Sequence, residues 1–168
     1  AALPNPLTRE NFSALMARLG VEFAPRSKIA VAVSGGGDSI ALALLLKDYC
    51  KDNGLSLTAL TVDHGLRAES ADEAAQVGQW MKKAGIAHHV LNWIGKKPET
   101  HIQELAREAR YRLMSDYCRK NDIAYLCLAH HADDQAETIL FRLAKGSGVD
   151  GLSGIRPVTI YNGSLTLL

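Results

Sequence analysis

A run of small and polar residues between two apolar segments is the part of this 168-residue chain best suited to chemistry. Apolar runs at residues 29–33 and 40–46 flank it. Glycines let the backbone approach an anion, and the first amides of a helix have no partner within the helix. The pattern predicts a strand, a phosphate-binding turn and a buried helix. We call the turn the glycine loop; it consists of Ser34, Gly35, Gly36, Gly37, Asp38 and Ser39.

Asp38 is the acidic residue of the glycine loop, and its position allows two roles. The carboxylate is a candidate ligand for Mg²⁺ or part of the rim around a phosphate, and it is also a candidate helix N-cap. No lysine occurs between Lys28 and Lys47, so the loop is not of the G-x-x-x-x-G-K-[ST] type. Amides, hydroxyls and a metal-binding carboxylate suit retention of a pyrophosphate leaving group.

The end of the second predicted strand carries another candidate group. The backbone at Val62 can receive the edge of an adenine, and the Asp63 carboxylate can bind a ribose or a metal. A turn-forming role is the structural alternative for Asp63. His64 follows in the same loop and is either a site residue or solvated.

The richest titratable cluster follows the fourth predicted strand and comprises His130, His131, Asp133 and Asp134. It suits binding of a divalent metal, whereas helix capping by Asp133 or Asp134 is the structural alternative. With Asp63 and His64 it would also suit a two-metal hydrolase. A hydrolase of that kind does not need the glycine loop, whereas an adenylating enzyme uses both features.

Three arginines belong to one predicted helix. Arg107 and Arg110 are three positions apart and share a face, whereas Arg112 points elsewhere. Arg107 or Arg110 can meet a phosphate, and a solvated, salt-bridged face is the alternative.

The elements that must position these residues alternate along the chain. Strands are predicted at residues 28–34, 55–62, 86–94 and 123–129, and helices at 38–53, 74–84 and 102–117, with a further helix after Asp134. This order predicts an α/β fold, a doubly wound parallel sheet with helices on both faces and strands buried on both sides. The candidate loops then meet at the carboxyl edge of the sheet, where ligands bind in such folds.

The domain organisation follows from the same reading. Residues 1–27 are predicted to form an N-terminal helical extension with a helix at 8–19, and residues 28–154 the α/β domain. Residues 155–168 are predicted to form a short hairpin around Asn162 and Gly163.

Composition sets broader limits. The chain is 47% hydrophobic and has no apolar run long enough to span a membrane. Its three cysteines form no C-x-x-C pair, which favours reduced thiols in a cytoplasmic protein. The net charge of +1 neither requires nor excludes a nucleic-acid partner.

The glycine loop resembles the S-G-G-x-D-S signature of the N-type ATP pyrophosphatases, or PP-loop superfamily. Within that superfamily the chain resembles the tRNA(Ile)-lysidine synthetase family. The motifs that carry the resemblance lie at residues 62–67, 103–111 and 129–138, followed by Gly-Ser-Gly at 146–148.

The resemblance implies an ATP-dependent ligase that uses Mg²⁺ and takes tRNA(Ile) and free L-lysine as substrates. ATP adenylates the wobble cytidine with release of pyrophosphate, and lysine then displaces AMP to form lysidine. It also implies that the glycine loop, Val62 and Asp63 bind ATP, that Asp38 holds the metal, and that Asp38, Arg107, His130, Asp133 and Asp134 act in catalysis.

Alternatives stay open at this point. A tRNA thiolase of the same superfamily is the nearest, although thiolases typically carry C-x-x-C pairs. A metal-dependent phosphohydrolase and an inactive nucleotide-binding module are the others. The chain looks shorter than the family, which carries further domains, and a homodimer is left open.

Overall fold

The computed structural model describes residues 7–129 and 158–168. Within these residues the chain forms four helices and six strands. The helices are α1 (Arg9–Arg18), α2 (Gly37–Asp52), α3 (Ser70–Ala84) and α4 (Ile102–Lys120). The strands are β1 (Lys28–Ala32), β2 (Ser56–Asp63), β3 (Ala87–Asn92), β4 (Tyr125–Cys127), β5 (Thr159–Tyr161) and β6 (Leu165–Leu167).

These elements confirm the predicted alternation of strands and helices between residues 8 and 129. The fourth strand is shorter than predicted and spans only residues 125–127, although the Ala124 carbonyl and the Leu128 N–H also form hydrogen bonds with residues 166 and 168. The hairpin predicted around Asn162 and Gly163 is present as β5 and β6. The helix predicted after Asp134 lies outside the described residues.

The strands form one sheet in the order β3-β2-β1-β4-β6-β5. All neighbouring pairs are parallel except β5 and β6, which are antiparallel. The chain proceeds from β1 through β2 to β3 in one direction, and β4 then lies on the other side of β1. The order therefore reverses between β1 and β4, which is where ligands bind in doubly wound sheets.

Helices cover both faces of the sheet, as predicted. Alternate residues of β1 enter opposite cores, since successive strand side chains point to opposite faces. Ile29 and Val31 pack with α2 and α3, whereas Ala30 packs with α4. The first core also contains Ala43, Leu46, Val77 and Met81, and the second contains Leu60, Met114, Cys118 and Leu126.

The prediction that every strand is buried on both faces was wrong for β3. This strand lies at the edge of the sheet and most of its residues are exposed, including Val90. An edge strand has only one neighbour, so less of its surface is covered.

None of the helices in the described ranges is long and apolar enough to cross a membrane.

Candidate functional site

A cavity of about 390 Å³ opens at the carboxyl edge of β1 and β2, beside the point where the strand order reverses. We call it the central cavity. Its lining brings together the ends of the strands, the two serines of the glycine loop, the start of α3 and one face of α4. The residues with polar side chains in this lining are Ser34, Ser39, Thr61, Asp63, His64, Arg67, Ser70, Glu73, Arg107 and Arg110.

Internal hydrogen bonds to the buried hydroxyl of Ser39 hold the glycine loop in its shape. The Ser34 N–H donates to Ser39 Oγ at 3.2 Å, and Ser39 Oγ donates to the Gly36 carbonyl at 2.9 Å. The two serine hydroxyls are 3.3 Å apart, and the Gly36 N–H donates to Ser34 Oγ at 3.4 Å. The loop is thus preorganised by its own residues.

Gly35 makes the turn between strand and loop. Its φ of +96° lies in the region that side chains rarely adopt. A Cβ added there would also lie 3.1 Å from Val77 Cγ2 of α3. At Gly37, in contrast, no heavy atom of the described residues lies within 4 Å of such a Cβ. The two glycines therefore meet different constraints.

The amino end of α2 faces this loop without a side-chain cap. The N-cap residue is Gly36, and it makes no side-chain capping bond. The helix begins at Gly37, so the alternative role of Asp38 as the N-cap was wrong. Asp38 instead lies exposed in the first turn, where the helix dipole favours negative charge.

Asp63 is held in a turn at the end of β2. Its Oδ1 accepts a hydrogen bond from the Gly65 N–H at 2.8 Å. A hydrogen bond from Ser70, followed by that from Gly65, keeps the pKa of Asp63 below its ordinary 3.8. The turn-forming alternative for Asp63 is therefore observed, and its carboxylate also lines the central cavity beside Val62.

Two buried nitrogens of the central cavity have no hydrogen-bond partner among residues 7–129 and 158–168. They are His64 Nδ1 and Arg110 Nε. Burial, and then the charge of Arg110, lowers the pKa of His64 below its ordinary 6.5. Buried polar atoms are normally paired, so unpaired ones in a cavity indicate a place for a polar ligand.

Arg107 and Arg110 form the cationic wall of the central cavity. Both guanidinium carbons lie 5.4 Å from the centroid of the Tyr111 ring, within the range of cation–π attraction. Arg112 lines a separate cleft with Lys96, Glu99 and Tyr161. The predicted division of the three arginines between two directions is confirmed.

The central cavity is lined by Ser34 and Ser39 of the glycine loop and by Val62, Asp63, His64, Arg107 and Arg110. Gly35, Gly36, Gly37 and Asp38 of the glycine loop are not among its lining residues. The predicted site residues His130, Asp133 and Asp134, and also His131, lie outside the described residues. Leu128 and Ala129, which precede this cluster, line the cavity.

Sequence reasoning missed Thr61 and Lys97. Thr61 is a buried polar residue of β2, but Ser56, Thr58 and Asp63 are polar residues of the same strand, so composition alone does not single it out. Lys97 lies over the Trp93 ring at 4.4 Å and donates to the Trp93 carbonyl. Trp93 in turn meets His64 edge-on, with ring centroids 6.0 Å apart. No periodicity indicates that arrangement.

Replacing Gly35 with alanine tests the turn. We expect Gly35→Ala to lower the free energy of unfolding by about 1–3 kcal/mol, because its backbone is left-handed and its Cβ would meet Val77. Gly37→Ala is the matched control and should change stability by less than about 1 kcal/mol, since its Cβ would contact no atom of residues 7–129 and 158–168. Urea unfolding measures both. Equal stability of the two variants would contradict the assignment.

The pKa of His64 predicts a pH dependence of stability. Because the folded state lowers this pKa, the unfolded chain takes up the proton first as pH falls below about 6.5. The free energy of unfolding should therefore decline from about pH 7.5 to pH 5.5, and His64→Asn should reduce the decline. His101→Asn, at the exposed start of α4, controls for loss of a surface imidazole. An unchanged slope in His64→Asn would refute the prediction.

The fold and the motifs agree with known proteins. A tRNA(Ile)-lysidine synthase from Wolbachia pipientis wMel is 50% identical over 139 residues, covering 82% of this chain and 32% of the relative. The enzymes of that name from Ruegeria pomeroyi and Methylobacterium nodulans are 45% and 46% identical over 139 and 162 residues. Those matches cover 83% and 94% of this chain, and 33% and 46% of the relatives. The resemblance drawn from the motifs is confirmed.

The chain spans about a third to a half of the length of these curated relatives. Among solved structures, the U34-tRNA thiolase NcsA from Methanococcus maripaludis, solved with its [4Fe-4S] cluster, shares the fold. Its TM-score is 0.71 at 19% identity, over 86% of this chain and 52% of that one. The family model described as the PP-loop domain matches residues 6–166. The chain therefore belongs to the PP-loop domain family.

Proposed function

We propose that this domain binds ATP in the central cavity and adenylates the wobble cytidine of tRNA(Ile), as the catalytic part of a lysidine-forming ligase. The observation that carries the proposal is the preorganised glycine loop at the reversal of strand order, in a chain 50% identical to a lysidine synthase. In the first step the cytidine O2 attacks the α-phosphorus and pyrophosphate leaves. In the second, the lysine amine attacks C2, loses a proton and displaces AMP.

The glycine loop is suited to the triphosphate. Ser34, Gly35, Gly36, Gly37 and Ser39 surround the amino end of α2, where amides and the helix dipole favour an anion. The hydroxyls of Ser34 and Ser39 are already within hydrogen-bond distance of each other. Donors fixed before the reaction stabilise the charge that develops on the leaving pyrophosphate.

The end of β2 is suited to the nucleoside. Val62 and Asp63 line the same cavity as the loop, so the adenine edge can meet the Val62 backbone. The lowered pKa of Asp63 keeps its carboxylate ionised at neutral pH, ready to accept from a ribose hydroxyl.

Asp38 is suited to Mg²⁺. The described residues contain no group of three or more histidine, cysteine, aspartate or glutamate side chains that could hold a metal. Mg²⁺ bound to a nucleotide needs only one or two carboxylates beside the phosphate oxygens and water, and Asp38 lies at the loop to supply one. The ion would neutralise charge on the pyrophosphate.

Arg107 and Arg110 supply positive charge on the opposite wall. A phosphate of ATP or of the RNA can pair there with Arg110 Nε, which has no hydrogen-bond partner in the described part of the chain. We assign binding of L-lysine and acceptance of its proton to His130, Asp133 and Asp134. These residues follow Ala129, which borders the cavity.

The buried, free thiols of Cys50, Cys118 and Cys127 agree with a cytoplasmic protein. A homodimer remains part of the proposal, and sedimentation tests it.

Removing the Asp38 carboxylate tests the metal and phosphate assignment. In the full-length protein, Asp38→Ala should lower ATP-dependent pyrophosphate release by at least about 100-fold, since charge on the leaving group would go unneutralised. Asp52→Ala, at the opposite end of α2, is the matched control. Thermal unfolding verifies that both variants fold. Undiminished turnover in Asp38→Ala would overturn the assignment.

The products of that assay identify the reaction. Pyrophosphate and AMP release that requires tRNA(Ile) and lysine supports the ligase. Conversion of ATP to ADP and phosphate without tRNA would support a phosphohydrolase, and incorporation of labelled sulfur would support a thiolase.

The arginine wall has its own test. Arg110→Gln should weaken ATP binding by about 10- to 100-fold, because charged hydrogen bonds contribute about 1.5–3 kcal/mol. Arg112→Gln lies on the same helix but lines the other cleft, so its ATP affinity should match the parent. Calorimetric titration with ATP and Mg²⁺ measures both. Equal affinities would remove Arg110 from the nucleotide site.

A further inference from the structure

We propose that Thr61 and His88 are positioning residues for the glycine loop, joined to it by a hydrogen-bonded chain that crosses β1, β2 and β3. The inference deepens the proposed function, because it rests on the glycine loop being the ATP site. Neither residue belongs to the motifs that indicated the function.

The hydrogen-bonded chain ends on the carbonyl of Val33, the residue that directly precedes the glycine loop. Val33 lies just beyond β1, yet both of its backbone polar groups are bonded to β2. Its N–H donates to the Leu60 carbonyl at 2.8 Å, and its carbonyl accepts from Thr61 Oγ1 at 2.7 Å. The pairing of β1 with β2 ends at Ala32, and these two bonds extend the attachment to Val33.

His88 completes the chain from the edge of the sheet. Its Nε2 lies 2.8 Å from Thr61 Oγ1. A hydroxyl has a single proton, and Thr61 gives it to Val33, so Thr61 must accept from His88 Nε2–H. The chain therefore runs from His88 Nε2–H to Thr61 Oγ1–H and on to the Val33 carbonyl. This direction fixes the tautomer of His88.

Helix α3 holds the His88 ring in that orientation. A Cβ added at Gly78 would lie 3.2 Å from His88 Nδ1 and 3.5 Å from Cε1. Glycine is unfavourable inside a helix, and the close imidazole explains why a larger residue is absent at this position. The ring is thus confined between α3 and Thr61.

The position of this hydrogen-bonded chain connects it to nucleotide binding. Thr61 is 5% exposed and lines the central cavity. The next residue after Val33 is Ser34, whose N–H and hydroxyl both contact Ser39. A shift of the Val33 carbonyl would therefore displace the first donor of the loop. Displacements of that kind weaken binding of a ligand that needs several donors at once.

The test compares Thr61→Val with Thr61→Ser in the full-length protein. Thr61→Val keeps the side-chain shape but removes the hydroxyl, and it should raise the KM for ATP by roughly 10-fold while the KM for lysine stays unchanged. Thr61→Ser keeps the hydroxyl and should restore the KM for ATP. Thr58→Val makes the same change near the other end of β2 and should behave as the parent.

His88 provides a second pair of variants. The side-chain amide of glutamine can replace the Nε2–H donor, so His88→Gln should keep a KM for ATP near that of the parent, whereas His88→Leu should resemble Thr61→Val. A merely structural role would lower the amount of active enzyme, and hence kcat, with no change in the KM for ATP. If Thr61→Val does not fold, the His88 pair decides.

Calorimetric titration with ATP and Mg²⁺ separates this inference from the proposed function. If the parent binds ATP but releases no pyrophosphate with tRNA(Ile) and lysine, the proposed ligase activity fails. The inference survives that result if Thr61→Val still binds ATP about 10-fold more weakly than Thr61→Ser and Thr58→Val do. Equal ATP affinity, or an equal KM for ATP, in Thr61→Val and Thr58→Val would overturn the inference.

Discussion

Strand β1 is bonded to β2 on one side and to β4 on the other, and its central residues are fully buried on both faces. Ile29 and Val31 enter one core and Ala30 the other, each with 0% exposure. A strand held on four sides cannot shift without disrupting both cores, so its carboxyl end is firmly placed. The glycine loop begins there. The accuracy that phosphate binding needs thus derives from hydrophobic burial.

The local charges favour an anion at that point. Uncapped helix α2 presents its amino end, and Arg107 and Arg110 line the facing wall of the cavity. The nearest carboxylate at the end of β2, Asp63, is engaged by Gly65 and Ser70. Burial, and then the charge of Arg110, lowers the pKa of His64 and so favours its neutral form. The cavity therefore combines fixed cations with a carboxylate already bonded by its own turn.

Much of the fold was predictable because burial imposes a repeating pattern on the sequence. Apolar runs predicted the strands, apolar residues at helical spacing predicted the helices, and Asn162-Gly163 predicted the hairpin. The site was less predictable, because its side chains meet only through sheet register. His88 lies 27 positions from Thr61 and reaches it because β3 pairs with β2. The sequence allows Asp38 as the N-cap of α2, whereas in the structure the helix begins at Gly37 and its N-cap is Gly36.

The absence of a side-chain cap on α2 connects stability with function. A serine or aspartate at position 36 would bond the first-turn amides and stabilise the helix by roughly 0.3 kcal/mol relative to glycine. Gly36 gives up that stabilisation, and its backbone N–H is directed to Ser34 Oγ instead. A phosphate bound at this end would take the place of the missing cap. Because a ligand that binds only the folded state stabilises it, nucleotide binding and the stability of α2 are then one linked equilibrium.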